Sequence, residues 1–157
     1  MIAILHNIRS LHNVGSIFRT ADAAGLEKIY LCGYTPAPVD EMGRTRAPLA
    51  KVALGAEKTI PWEKISSITK TIAKLKKEGF IIAAVEQDQK SIPFYKTKFT
   101  PKMLNKIALV MGEEVAGLPT SILKICDLVL EIPMHGKKES LNVSVAFGIV
   151  VFNLIYR

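Results

Sequence analysis

Ile132-Pro133-Met134-His135-Gly136-Lys137-Lys138-Glu139-Ser140-Leu141-Asn142-Val143-Ser144 is the stretch whose reading decides the fold. A run rich in branched apolar residues, Asp127 to Ile132, leads into it as a buried strand, and Pro133 ends that strand. Gly136 lies in a polar, basic loop. Ser140-Leu141-Asn142 then offers a helix N-cap ahead of an apolar segment, Val143 to Tyr156. A strand, a flexible polar loop and a helix start form the usual place in an α/β protein to hold a small polar ligand. By shape alone the same stretch is also an ordinary connection from a strand to a helix.

Working outward, the 157 residues fit a single domain, residues 1–157, large enough to bury a core, and 49% of them are hydrophobic. Charge is spread along the chain, which excludes a disordered or low-complexity protein. The net charge of +7, from 21 basic and 14 acidic side chains, favours a polyanionic partner: nucleic acid first, an anionic membrane surface second. Cys32 and Cys126 fall in apolar runs without metal-ligand spacing and read as reduced core thiols, so no metal is expected. Met1 to Leu5 is too short an apolar run for a signal peptide and lacks a basic start. The apolar C-terminal segment is too short to span a bilayer and contains Asn153. A soluble cytoplasmic protein is expected.

Strands are predicted at Ile2–Leu5, Lys28–Cys32, Phe80–Val85, Lys106–Met111 and Asp127–Ile132. After the first, His6 to Asn13 is a polar loop ending in a helix-capping residue, and Val14–Ala24 has helical spacing closed by Gly25. Ser16, Arg19 and Thr20 share one face of that helix, with Asn13 near its start. Gly33 to Pro48 is irregular; its Arg44 and Arg46 suit phosphate contacts or are solvated loop charges. Leu49–Glu57 is read as a short helix and Lys64–Glu78 as an amphipathic one, stopped by Gly79. Lys70, Lys74, Lys76 and Lys77 on its outer face are either a solvated face or an RNA-facing patch. Ser91 to Lys106 reads as irregular, and Thr120 as the cap of a helix through Lys124. Strands alternating with helices imply a mainly parallel sheet covered on both faces. The last segment is apolar nearly all round, so it lies deep in a core or at a subunit interface; the interface, and hence a homodimer, is the expectation.

Three stretches fall at loops after predicted strands: Asn13-x-x-x-x-x-Arg19-Thr20-Ala21, Gly112-x-Glu114-x-x-Gly117, and Ile132-Pro133-Met134 through Ser144. In this order and separation they closely resemble the three signature motifs of the SpoU–TrmH branch of the SPOUT RNA methyltransferases. The resemblance runs from Asn7 to the C-terminus. It implies an α/β fold of mainly parallel strands whose C-terminal part forms a deep trefoil knot, a topology that general rules of chain threading argue against. It also implies S-adenosylmethionine bound between the knot loops, with S-adenosylhomocysteine as product. The cofactor residues would be Val85, Glu86, Met111, Gly112, Glu113, Ile132, Met134, Ser140 and Leu141. Glycine fits there because bare backbone can approach adenine and ribose closely.

The reaction so implied is 2′-O-methylation of a ribose in tRNA or rRNA, with Asn13, Arg19, Glu114, Ser140 and Asn142 as catalytic residues. A guanidinium is effectively always protonated, so Arg19 is expected to orient the target phosphate and stabilise the forming oxyanion while the proton leaves through Glu114, another acceptor or water. Arg9, Arg19, Arg44, Arg46, Lys137 and Lys138 are the expected RNA contacts. His12 and His135 are read as incidental. Larger members carry extra segments for gripping RNA that this sequence lacks, so the dimer surface is expected to supply the contacts. Two other readings compete: a knotted domain that holds RNA or the cofactor without turnover, and an unrelated flavodoxin-like nucleotide binder.

Overall fold

The computed structural model describes residues 1–156. Seven strands join in one sheet: β1 (Ile2–His6), β2 (Lys28–Cys32), β3 (Trp62–Ile65), β4 (Ile81–Val85), β5 (Ile92–Pro93), β6 (Ile107–Met111) and β7 (Leu128–Glu131). Their order is β3-β2-β1-β6-β4-β7-β5, and every pairing is parallel. All the C-terminal strand ends therefore lie along one edge. β6 is buried along its whole length, as a central parallel strand must be.

Alternation along the strands sorts the apolar residues into two layers. Ala3, Leu5, Ile29, Leu31, Leu109 and Leu130 face one side, which is covered by α1 (Leu11–Ala23), α2 (Ala47–Ala53), α3 (Ala56–Thr59) and α7 (Val143–Tyr156). Ile2, Ile4, Tyr30, Ile82, Ala84 and Val110 face the other, covered by α4 (Ile68–Lys77) and α6 (Thr120–Leu123). α5 (Pro101–Leu104) is a single turn ahead of β6. The parallel sheet with helices on both faces is the one expected.

The differences are local and have physical causes. β3 and β5 are edge strands too short and too polar to show as buried runs. The apolar spacing Ile65-Ile68-Ile72-Leu75 runs across a boundary: Lys64 and Ile65 belong to β3, and Ser67 caps α4 by accepting from the Lys70 N–H at 3.4 Å. The Lys64 ammonium donates to the carbonyls of Gly33 and Thr35, which holds that residue at the sheet edge rather than in a helix. The Leu49–Glu57 helix is broken into α2 and α3 by left-handed Leu54 and Gly55. Thr120 is the first residue of α6 rather than its cap.

Ser10, not Asn13, caps α1; its hydroxyl accepts from the Asn13 N–H at 3.2 Å. Asn13 thus sits inside the first turn, with its amide side chain released for other work. α7 buries Val143, Phe147, Val150, Val151 and Leu154 against the sheet and α1. Its opposite face leaves Val145, Ile149, Phe152 and Tyr156 exposed in one stripe. No helix among the described residues is long and apolar enough to cross a membrane.

Candidate active site

β6, β4 and β7 are neighbours in the sheet, so the loops that leave them must meet. They enclose a cavity of about 170 Å³ lined by Val85, Glu86, Met111, Gly112, Glu113, Ile132, Met134, Ser140 and Leu141. These are all the residues expected to hold the cofactor. Gln87, Glu114, Val115, Gly117, Val143 and Ala146 complete the lining. The cavity stands at the C-terminal ends of these parallel strands, the side on which open α/β sheets bind ligands.

The Gly112–Gly117 loop is shaped by close approach. A Cβ on Gly112 would lie 2.7 Å from the Gly117 carbonyl carbon, and one on Gly117, whose φ is +65°, would lie 2.2 Å from Glu86 Oε2. The Gly117 N–H closes the turn on the Glu113 carbonyl at 3.1 Å. Glu86 lines the cavity, but its carboxylate is committed to backbone: Oε1 accepts from the Gln87 N–H at 2.9 Å and Oε2 from the Leu118 N–H at 2.8 Å. It staples the loop after β4 to the loop after β6.

A directed hydrogen-bond chain runs along the mouth. The N–H and Oγ–H of Ser144 donate to Asn142 Oδ1 at 2.9 and 2.6 Å, so Asn142 caps α7. Asn142 Nδ2 donates to Asn13 Oδ1 at 3.0 Å, and Asn13 Nδ2 donates to Glu114 Oε1 at 2.7 Å. Three residues from the three separate motifs thus meet, and the chain ends on a carboxylate, the one member that can only accept when ionised.

Ser140 lines the cavity without joining this chain. Arg19 is exposed on α1, and its guanidinium has no ion-pair or hydrogen-bond partner among the described residues. Lys137 and Lys138 are exposed on the loop that precedes α7. Arg9 is exposed, with its guanidinium 3.9 Å from Glu113 Oε2. Arg44 is paired with Asp40 at 2.8 Å, and Arg46 stands at the start of α2 with its Nε buried. At the end of β1, burial holds the His6 imidazole below the ordinary histidine range against the opposing pull of Glu113.

Some contributors carry no mark in the sequence. Tyr34 donates its hydroxyl to Glu113 Oε2 at 3.0 Å, and Gln87 Nε2 donates to the Glu139 carbonyl at 2.5 Å, bridging two cavity loops. Ser144 stands inside the third motif, and only its position two residues after a capping asparagine signals its role.

The profile of the SpoU rRNA Methylase family matches residues 1–152. The chain belongs to this family. The 23S rRNA (guanosine-2′-O-)-methyltransferase RlmB of Escherichia coli K12 is 34% identical over 156 residues, which are 98% of this chain and 59% of that protein. Its counterpart in Ralstonia nicotianae is 33% identical over 156 residues, 99% of this chain and 58% of the relative. The chain therefore spans about three fifths of the length of these relatives. The crystal structure of the A. aeolicus TrmH/SpoU tRNA modifying enzyme superposes with a TM-score of 0.82 at 28% identity, over 98% of this chain and 72% of that one. The AdoMet-bound rRNA methyltransferase from Sinorhizobium meliloti does so with a TM-score of 0.85 at 27% identity, over 98% and 54%. Membership leaves the flavodoxin-like reading without support.

Asn142 has two separable duties, and substitution divides them. Asn142→Ala removes the α7 cap and is expected to lower stability by about 1 kcal/mol. Asn142→Asp keeps an acceptor for Ser144 but loses the donor to Asn13, and is expected to melt close to wild type. Urea denaturation of both variants measures this; equal losses would assign the stability to the Asn13 contact instead.

Proposed function

We propose that this protein transfers a methyl group from S-adenosylmethionine to the 2′-oxygen of a ribose in RNA. The observation that carries this reading is the Ser144–Asn142–Asn13–Glu114 chain ending at the mouth of the cavity lined by the expected cofactor loops. The lining suits the donor. Val85, Met111, Ile132, Met134 and Leu141 offer apolar walls for an adenine ring, Gly112 lets backbone come close, and Glu113 and Glu114 bring negative charge toward a sulfonium. Bound S-adenosylmethionine supplies a methyl electrophile that needs no further activation.

What remains for the protein is alignment and management of charge on a poor nucleophile, a sugar hydroxyl that must lose its proton at or after attack. Glu114 is the acceptor at the end of the chain, and Asn13 holds one of its oxygens so that the other is free to face the ribose. Asn142 fixes Asn13, and Ser140 presents its hydroxyl from the cavity wall. Arg19, permanently cationic, orients the target phosphate and stabilises the developing oxyanion. Intact Asn13, Glu114 and Asn142 favour turnover over a domain that only binds.

RNA as the substrate is supported by the net charge of +7 and by the names of the relatives, which act on 23S rRNA or modify tRNA. Arg19, Lys137 and Lys138 stand free for phosphate and Arg9 is held only at 3.9 Å by Glu113, whereas Arg44 is neutralised by Asp40 at 2.8 Å. The residues of this chain form one domain that acts in the cytoplasm, with its C-terminal segment threaded as a knot. It works as a homodimer, because the exposed α7 stripe, with Phe152 and Tyr156 stacked at 5.9 Å, needs cover from water. The chemistry calls for no metal.

Transfer of labelled methyl from S-adenosylmethionine to total RNA from cells lacking the protein, followed by mapping of 2′-O-methyl sites, tests the reaction; absence of transfer by folded protein refutes it. Arg19→Lys is expected to slow single-turnover transfer by about tenfold or more. An unchanged rate and pH dependence would remove any need for a guanidinium. Light scattering at micromolar concentration is expected to give a dimer that Phe152→Glu dissociates; a wild-type monomer would contradict the interface.

A further inference from the structure

A second cluster stands beside the cavity, where β1 and β2 end, and takes no part in the chain that reaches Glu114. Asn7 leaves β1 with φ +59° and Gly33 leaves β2 with φ +63°. The two turns interlock. The Asn7 N–H donates to the Cys32 carbonyl at 3.2 Å, and Asn7 Oδ1 accepts from the Tyr34 N–H at 3.3 Å. A Cβ on Gly33 would fall 1.9 Å from Asn7 Oδ1, so only glycine lets the turns mesh. Asparagine adopts this left-handed conformation more readily than other residues with a Cβ, because its short side chain bonds locally.

The interlock brings Arg9 and Tyr34 together. The Arg9 guanidinium carbon lies 5.1 Å from the centre of the Tyr34 ring. The Tyr34 hydroxyl is pinned to Glu113 Oε2 at 3.0 Å, and Arg9 approaches the same oxygen at 3.9 Å. Yet Tyr34 is 47% exposed and the Arg9 side chain 76% exposed. Ordering an exposed tyrosine and an exposed arginine costs side-chain entropy that a surface ion pair scarcely offsets. The adjacent glutamates divide the work: Glu114 holds Asn13, and Glu113 holds Tyr34. The residue that holds the aromatic ring, Glu113, is therefore next along the backbone to the carboxylate assigned to the ribose.

We infer that Tyr34 and Arg9 form a stacking platform for an unpaired base of the RNA, either that of the target nucleotide or its immediate neighbour, and that Glu113 positions the platform. A ring and a guanidinium plane offer π surfaces on which any base stacks, and the arginine charge also meets the backbone phosphate. This inference rests on the reading of the cavity and the Glu114 chain as a site for ribose methylation. It adds a contact that fixes where along a single strand the ribose is presented.

The test uses a single-stranded RNA dodecamer in which every second base is 2-aminopurine, and an abasic counterpart of the same length that carries no bases at all. Binding to wild type is expected to quench aminopurine emission. Tyr34→Ala is expected to weaken the dodecamer by about fivefold or more and to lose the quenching. Tyr34→Phe, which keeps the ring, is expected to retain the quenching. The fully abasic counterpart is expected to bind wild type and Tyr34→Ala alike. Undiminished quenching by Tyr34→Ala, or an equal loss of affinity for both RNAs, overturns the platform. Donor binding is measured separately on wild type: its absence defeats the methyltransferase reading, whereas intact donor binding without a Tyr34 effect defeats the platform alone.

Discussion

One side-chain amide joins the third motif to the first. Asn142 accepts from Ser144 at the start of α7 and donates to Asn13 in the first turn of α1, two helices that pack on the same face of the sheet. A carboxylate in its place could not donate, and an aliphatic residue could do neither. Because its acceptor oxygen is committed to the helix cap, its donor direction is set, and Asn13 must in turn send its own donor to Glu114. Polarity along the chain is thereby fixed by the need to cap a helix, a local requirement that has nothing to do with chemistry on a substrate. The same needs recur around the cavity, where the Glu86 carboxylate is used to close backbone N–H groups of two loops rather than left free for a ligand.

Much of this architecture was legible in the residues. The apolar Ile107–Met111 run could only be a central strand, and the capping set Ser140-Leu141-Asn142 ahead of an apolar segment marked the start of α7 at Val143. The loops at the strand ends then had to converge, because a parallel sheet puts all those ends on one edge. What stayed hidden was decided by partners distant in sequence. Ser10 and Asn13 are both capping types three residues apart, and the choice between them depends on Glu114 and Asn142 drawing the Asn13 amide away. Edge strands of two and four residues bury too little to leave an alternating pattern. Tyr34 meets Glu113 across 79 positions, a contact for which residue order holds no cue.

The electrostatic layout follows from the same convergence. Carboxylates of Glu86, Glu113 and Glu114 gather at the cavity, while the exposed cations of Arg9, Arg19, Lys137 and Lys138 lie outside it. Acid at the pocket and base around it suit a cationic small molecule within and a polyanion across the mouth. A domain that only held RNA or the cofactor would need one of these without the ordered asparagine chain that ends on Glu114.

The most direct measure of the central claim, that three separated loops build one donor site ending on Glu114, is calorimetric titration of the purified chain with S-adenosylmethionine and S-adenosylhomocysteine. The account predicts saturable binding of one molecule per chain that Gly117→Val abolishes, since a β-branched residue is strained at the φ of +65° there and would push aside the Glu86 carboxylate that staples the loops. Folded wild-type protein with no measurable affinity for either compound would contradict it.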